Sequence, residues 1–265
     1  MSTQSRTWRK PPFIESTALR RGLYLFAIVY VVLAVGSIEV NWARVWDGIP
    51  RGQRFIAAFF PPDFTSRWDS ILDGLLESLW MTVTSTVVGV AISIPVGLGA
   101  AKNLAPMPVY LFCRALVALS RTFPEIILAI FFVKLFGFGP FAGFLALSLA
   151  TVGFYAKLLA EDIEAMDPTQ AEAVKATGSS WFQWLEYAVR PQVMPRMIGL
   201  SVYRLDINFR ESAVVGIVGG GGIGATLLTA FDRYEFDSAA AILLVIIVIV
   251  MGLEYASSWI RRLVQ

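Results

Sequence analysis

Apolar runs alternate with shorter polar stretches along the 265 residues. Six of these runs matter: Leu23–Ile38, Leu75–Ala101, Val109–Phe136, Phe141–Leu159, Met197–Val218 and Ser238–Ile260. With its flanks, each reaches about the 20 residues that a helix needs to cross a bilayer. Each predicts a helix, because in hydrocarbon the backbone must satisfy its own N–H and C=O groups. The fifth run is broken and unusually polar, whereas the sixth contains the uninterrupted Ala241–Val250. Residues 39–70 are rich in Trp, Pro and mixed charge, and Trp42, Trp46 and Trp68 predict segments lying at the membrane interface rather than another span. The pattern predicts an all-α membrane protein with a polar, basic N-terminal segment over residues 1–21 and a transmembrane domain over 22–265. The basic Met1–Pro12 stretch precedes an apolar run with no small-residue cleavage site, so that run is expected to remain as an anchor. No soluble domain is expected on either side of the bundle, and no internal repeat is visible.

Charge sets an orientation. With the N-terminus inside, thirteen Lys and Arg residues fall on the cytoplasmic side and five outside, Arg44, Arg51, Arg54, Arg67 and Arg233. That asymmetry follows the positive-inside rule, and it puts both termini and the central loop 161–195 in the cytoplasm.

Composition supports the membrane reading and removes other chemistries. The chain is 56% hydrophobic with mean hydropathy +0.64, and only 16% of its residues are charged, against about a quarter in a soluble domain. It has no His, so the usual imidazole base and the commonest metal ligand are missing. Cys113 stands alone, without a disulfide partner or a metal-ligand cluster. There is no GxxxxGK[ST] phosphate loop and no Ser/His or Cys/His nucleophile pair, so neither ATP hydrolysis nor covalent catalysis is expected of this chain.

The central loop reads EDIEAMDPTQAEAVKATGSSWFQWLEYAVRPQVMP. Ala171, Ala173, Val174 and Ala176 give a short helix small side chains that let it seat closely in a groove. Gly178 can adopt φ > 0 and end it. Trp181 to Leu185 begin a second helix, which Pro191 is expected to stop before the membrane resumes. Such a helix–turn–helix can transmit a push from a soluble partner, or it can be a plain loop with an amphipathic helix lying at the interface.

Ionisable residues within spans mark a pathway or a partner by default. The third run carries Arg121-Thr122-Phe123-Pro124-Glu125, whose i, i+4 charges are expected to share a helical face and pair. A self-contained pair near the interface is the alternative to a pathway role. Lys134 reads as a snorkelling anchor. The fifth run is denser: Asp206 and Arg210 share one face, with Tyr203 a turn back, while Asn208, Glu211 and Ser212 lie around another. So much polarity cannot face lipid, which leaves an intersubunit seam or a polar path. An Arg suits a path for oxyanions because its planar fork grips phosphate-like groups. Gly219, Gly221 and Gly224 formally spell GxGxxG, but without a βαβ unit they read as helix breakers or close-contact points.

Two resemblances follow from these residues. Glu172-Ala173, Gly178 six residues after the Glu and Pro191 thirteen after the Gly resemble the EAA loop of ABC-importer membrane subunits, with Ala188 and Arg190 where that pattern has Ile and Leu. Arg121 to Glu125, and the run from Asp206 to Val218 followed by Gly-Gly-Gly-Gly-Ile-Gly, resemble the phosphonate-type ABC permeases over about Leu75–Ile260. Thr122 for Ser and Asp206 for Glu are departures. The resemblance implies six transmembrane helices in a type I ABC importer permease bundle of the inner membrane. It implies a homodimer with two ATP-binding subunits that carry ATP and Mg, and no cofactor or metal in this chain. An extracytoplasmic binding protein would deliver a phosphonate, phosphite or phosphate; no nucleic acid is implied. Glu172, Ala173, Gly178 and Pro191 would couple to the ATPase. Arg210, Glu211, Asn208, Asp206, Arg121, Glu125 and Ser212 would line or gate the path. The rivals are an importer for another solute such as methionine, an ATP-independent secondary transporter or channel, and a membrane scaffold.

Overall fold

The computed structural model describes residues 14, 16–38 and 41–264, and residues 1–55 and 56–265 form separate compact units. Every regular element among the described residues is helical. In the first unit, α1 (Thr17–Ser37) is capped by Ser16, whose hydroxyl accepts from the Leu19 amide at 3.3 Å. Its successor α2 (Trp42–Ala57) sets Trp42, Val45, Trp46 and Ile49 on one stripe and Arg44, Asp47, Arg51 and Arg54 on the other. That amphipathic pattern is what the Trp-rich segment predicts, and α2 lacks the length and apolarity of a span.

The second unit contains α3 (Trp68–Ala100), α4 (Met107–Thr122), α5 (Glu125–Phe136), α6 (Pro140–Glu164), α7 (Pro168–Ala176), α8 (Trp181–Trp184), α9 (Arg190–Val215), α10 (Gly222–Asp232) and α11 (Phe236–Val264). Among the described residues four helices, α1, α3, α6 and α11, are long and apolar enough to cross a membrane, and two bent pairs raise the number to six if each pair counts as one span.

Three features depart from the expected elements. The run from Val109 to Phe136 is not one helix: α4 and α5 meet at 91°. Pro124 has no amide to continue the ladder and forces Phe123 into extended backbone, φ −99° and ψ 125°. Pro191 does not stop the helix begun at Trp181. A π-turn over Leu185–Val189 widens the backbone, with the Arg190 amide reaching back to the Leu185 carbonyl, so the proline ring is accommodated as α9 starts. The Gly-rich stretch breaks the helix as its glycines suggest, but a further helix, α10, follows it. A second π-turn, Gly216–Gly220, ends α9, and the chain turns at Gly219 (φ 99°) and Gly221 (φ 78°) into α10, bent 56° from the preceding helix. These left-handed angles are cheap only for glycine.

Packing centres on α3 against α6. Gly74, Ser78, Thr82, Ser85, Gly89, Ser93 and Gly97 recur every three or four residues, so they form one narrow face of α3, and all are buried. The backbones approach closely there: a Cβ added to Gly89 would sit 2.5 Å from Thr151 Cβ. Hydroxyls on this face bond their own helix, Ser93 to the Gly89 carbonyl at 2.6 Å and Thr86 to that of Thr82 at 2.7 Å. Small residues joined in this way are how helices associate where lipid removes the hydrophobic driving force.

Candidate functional site

The first candidate region is the loop between α6 and α9. Asp167 caps α7, its carboxylate accepting from the Thr169 amide at 2.9 Å, with Pro168 pre-set in the first turn. Ala171 is buried, and its carbonyl accepts the indole N–H of Trp184 at 2.9 Å. The Lys175 ammonium lies 4.3 Å from the centre of the Trp184 ring. Gly178 turns the chain at φ 77°, and Ser180 opens α8 with a capping box completed by Gln183. Between the arms lies a groove of about 560 Å³ walled by Ala173, Val174, Thr177, Gly178, Ser179, Gln183 and Tyr187. Ala173 and Gly178 therefore share one surface; Glu172 is exposed beside it and makes no ion pair among the described residues. Pro191 lies away from the groove, in the first turn of α9 just after the π-turn. Ala188 is buried against Trp184, which explains a small side chain at that position.

The loop is fastened to the bundle at its base. Gln192 takes the Asp167 amide at 2.9 Å and donates to the Ala188 carbonyl at 2.9 Å. Arg196 pairs with Asp162 at 3.0 Å. Glu164 receives Arg114 and the Lys102 amide, each at 2.8 Å, joining the ends of α3, α4 and α6. The base of the loop is thereby tied to several helices at once.

The second region lies at mid-height of α3, α6 and α9. Asn208 is fully buried and donates to Thr86 at 2.8 Å and to Thr151 at 3.1 Å. The Thr151 hydroxyl also accepts Arg204 Nε at 3.0 Å, and the guanidinium lies 5.4 Å from the Phe154 ring centre. Arg204 Nη2 stands 3.9 Å from Glu125 at the start of α5. Glu211, on the same helix as Arg204, is half-buried. On another face, buried Asp206 accepts from Arg210 at 2.7 Å while the Arg210 side chain stays about half exposed. Ser212 is buried and bonds the Phe209 carbonyl of its own helix.

The expected Arg121–Glu125 pair does not form. The break at Phe123–Pro124 places the two residues on different helices; Glu125 turns to Arg204, and Arg121 has no acidic partner among the described residues. Both line a cleft of about 270 Å³ with Ser120, Phe154 and Arg204. Arg204, Thr86 and Thr151 had not been singled out from sequence. Arg204 was detectable as another charge within the fifth run, whereas two threonines among apolar residues carry no signal.

The described residues are all-helical, with two bent helix pairs and a loop of two short helices, and this fold matches that of chains in solved ABC transporters. The solved methionine ABC transporter MetNI, in an inward-facing conformation, contains a chain that superposes with a TM-score of 0.67 at 23% identity, covering 76% of this chain and 99% of that one. An amino acid ABC transporter solved with histidines gives 0.63 at 20% identity, covering 76% and 98%. These likenesses carry the fold. Residues 93–265 match the family described as binding-protein-dependent transport system inner membrane component, and the chain belongs to that family of multi-pass transport subunits. It is 43% identical over 243 residues to the phosphate-import permease protein PhnE of Mycolicibacterium smegmatis, covering 91% of this chain and 46% of that protein. It therefore spans about half the length of that relative. It is 37% identical over 256 residues to the phosphite transport system permease protein PtxC of Stutzerimonas stutzeri, covering 96% of this chain and 90% of that protein. Similarity falls to 27% for the Vibrio cholerae protein named "Probable D-methionine transport system permease protein MetI", covering 72% and 90%.

Proposed function

We propose that this chain is the permease subunit of an ATP-driven importer of phosphorus oxyanions: phosphonate, phosphite or phosphate. The observation that carries the reading is the near full-length similarity to PtxC, at 37% identity against 27% for the MetI protein. The buried Arg204 and the half-exposed Arg210, both in the fifth span, support it, since guanidinium forks suit tetrahedral oxyanions. On this reading each bent pair is one span, giving six, with both termini cytoplasmic, an N-terminal segment over 1–21 and the permease domain over 22–265. Two copies pair, and two ATPase subunits carrying ATP and Mg dock beneath them. A binding protein delivers the anion outside.

The groove walled by Ala173 and Gly178, with Glu172 at its edge, receives the ATPase, and Pro191 shapes the π-turn that joins the loop to α9. Closure of the ATPases pushes α7. The push reaches α9 through Trp184 and Gln192, and α6 through the loop base. Along α9 it moves Asp206, Asn208, Arg210, Glu211 and Ser212 relative to Arg121 and Glu125, opening and closing the polar path.

The test uses the chain co-purified in nanodiscs with a cognate ATPase and binding protein. ATP hydrolysis is measured with phosphonate, phosphite, phosphate or methionine. Stimulation by a phosphorus oxyanion, lost in Glu172→Arg, is expected. Stimulation by methionine alone would discard the substrate class, and uptake without ATP would discard the importer.

A further inference from the structure

We propose that the cleft at the α4–α5 break is an oxyanion subsite, in which Arg204 contacts the anion and Glu125 is the resident counter-ion that the anion displaces. The proposal rests on the permease reading above and assigns the contacting atoms.

Arg204 is only 2% exposed. Its Nε is committed to Thr151 at 3.0 Å, and Phe154 lies against the guanidinium. Thr151 is fixed in turn by Asn208, itself bonded to Thr86, so three helices hold the guanidinium in place. The other arm of the fork is free: Nη2 is buried without a hydrogen-bond partner. Its nearest carboxylate oxygen, on Glu125, is 3.9 Å away. A charge-assisted N–H···O bond closes to about 2.7–2.9 Å. The pair is thus a long-range neutralisation, and it leaves a donor direction unused inside a polar cleft.

The cleft can admit a ligand. Its volume is about 270 Å³, and a water molecule occupies about 30 Å³ of liquid, so there is space for a small tetrahedral anion with part of its hydration shell. Arg121 also lines the cleft, without an acidic partner among the described residues, and supplies a second guanidinium. The hydroxyls of the lining are already spent as donors, Ser120 on the Leu149 carbonyl at 2.7 Å and Thr122 on that of Ala118 at 2.9 Å. Recognition therefore falls to two guanidiniums. They read negative charge and paired oxygens and ignore the fourth substituent on phosphorus, which gives a site tolerant within the oxyanion class.

Glu125 makes the site reversible. A transport path needs binding strong enough for entry and weak enough for exit. With the cleft empty, the carboxylate neutralises Arg204; with the anion bound, it is released and repels the anion onward.

The experiment measures equilibrium binding of radiolabelled inorganic phosphate and methylphosphonate to the permease–ATPase complex in nanodiscs, without ATP or binding protein. ATP-dependent uptake by the complete system is measured in parallel. Saturable wild-type binding is expected, lost in Arg204→Ala, weakened in Arg204→Lys and Arg121→Ala, and about tenfold tighter in Glu125→Gln. Co-elution with the ATPase reports folding, and the surface-exposed Arg121→Ala variant serves if Arg204→Ala fails to assemble. Intact uptake with unchanged binding in both arginine variants, or with no saturable wild-type binding, overturns the subsite. Absence of any oxyanion-dependent uptake by the wild-type system overturns the permease reading instead.

Discussion

Trp184 donates its indole N–H to the carbonyl of Ala171 at 2.9 Å, across the turn that joins the two arms of the loop between α6 and α9. Both residues are buried, so this bond and the surrounding ring contacts hold α7 in place. Trp184→Phe keeps most of the ring and removes this one hydrogen bond, a cost of about 0.5–1.5 kcal/mol. Trp184→Ala also opens a cavity and costs about 3–5 kcal/mol. Both losses are local. Hydrogen exchange of the α7 amides should accelerate in that order while the α3 and α6 amides stay protected. Equal protection of α7 in all three proteins would show that the loop is held by something else.

Gly178 separates conformation from packing. Its φ is 77°, and a Cβ added there meets nothing within 4 Å, so a substitution is strained without being crowded. Gly178→Ala should cost about 1–2 kcal/mol, the left-handed penalty for a residue with a Cβ. Gly178→Asn should recover part of it, because Asn tolerates that region better. Substrate-stimulated ATP hydrolysis in the reconstituted complex is expected to fall in the order Gly, Asn, Ala. An Ala variant as well coupled as wild type would mean that the turn geometry is not what the ATPase reads.

Apolar length made the spans legible, and the same property hid their breaks. Val109 to Phe136 is mostly apolar, which favours reading one helix although Pro124 sits inside it. The proline rule that applies there also applies to Pro191, yet the outcomes are opposite: a 91° break at the first and a π-turn that carries the helix through at the second. Nothing local separates the two cases. The difference lies in what packs around them, because the π-turn buries Ala188 and Val189 in the core beneath the loop. The loop itself was readable from its small residues and glycine. The polar cluster was half readable: charges in the fifth run stood out, but the threonines that orient Arg204 come from α3 and α6, far away in sequence.

Asp63 gives a pH prediction for the turn before α3. Its Oδ1 accepts from the Thr65 hydroxyl at 2.7 Å and from the Thr65 amide at 2.8 Å. Hydrogen bonding by Ser66 and then Thr65 holds the carboxyl well below the usual carboxylate range. A depressed folded value contributes stability that is present above the unfolded value, near about 3.9, and is lost as pH falls through the folded one. The turn is therefore expected to stay intact at pH values of about 5 and to loosen only in strong acid. The ¹³Cγ shift of Asp63 should show no titration step near the free-aspartate value. A step there would contradict the turn geometry.

Asn208 and Thr86 provide the most direct test of the buried network, because their bond at 2.8 Å links α9 to α3 across a fully buried contact. Asn208 also donates to Thr151, so a single Asn208→Ala change removes two bonds and confounds them. Thr86→Val nearly conserves shape and removes the acceptor for Asn208 together with the hydroxyl's own bond to the Thr82 carbonyl. A double-mutant cycle isolates the shared term. Interhelical hydrogen bonds in membranes couple by about 0.6 kcal/mol on average and about 1.7 at most, because the unfolded helices in lipid also find partners. The cycle, measured by unfolding in mixed micelles, is expected to return a value in that range, with each single variant destabilised. Coupling near zero would place Asn208 in the bundle as a satisfied polar residue without a role in aligning α9. Coupling of the expected size would tie the orientation of Arg204 to the register between α3 and α9, since the same asparagine grips the threonine on which Arg204 rests.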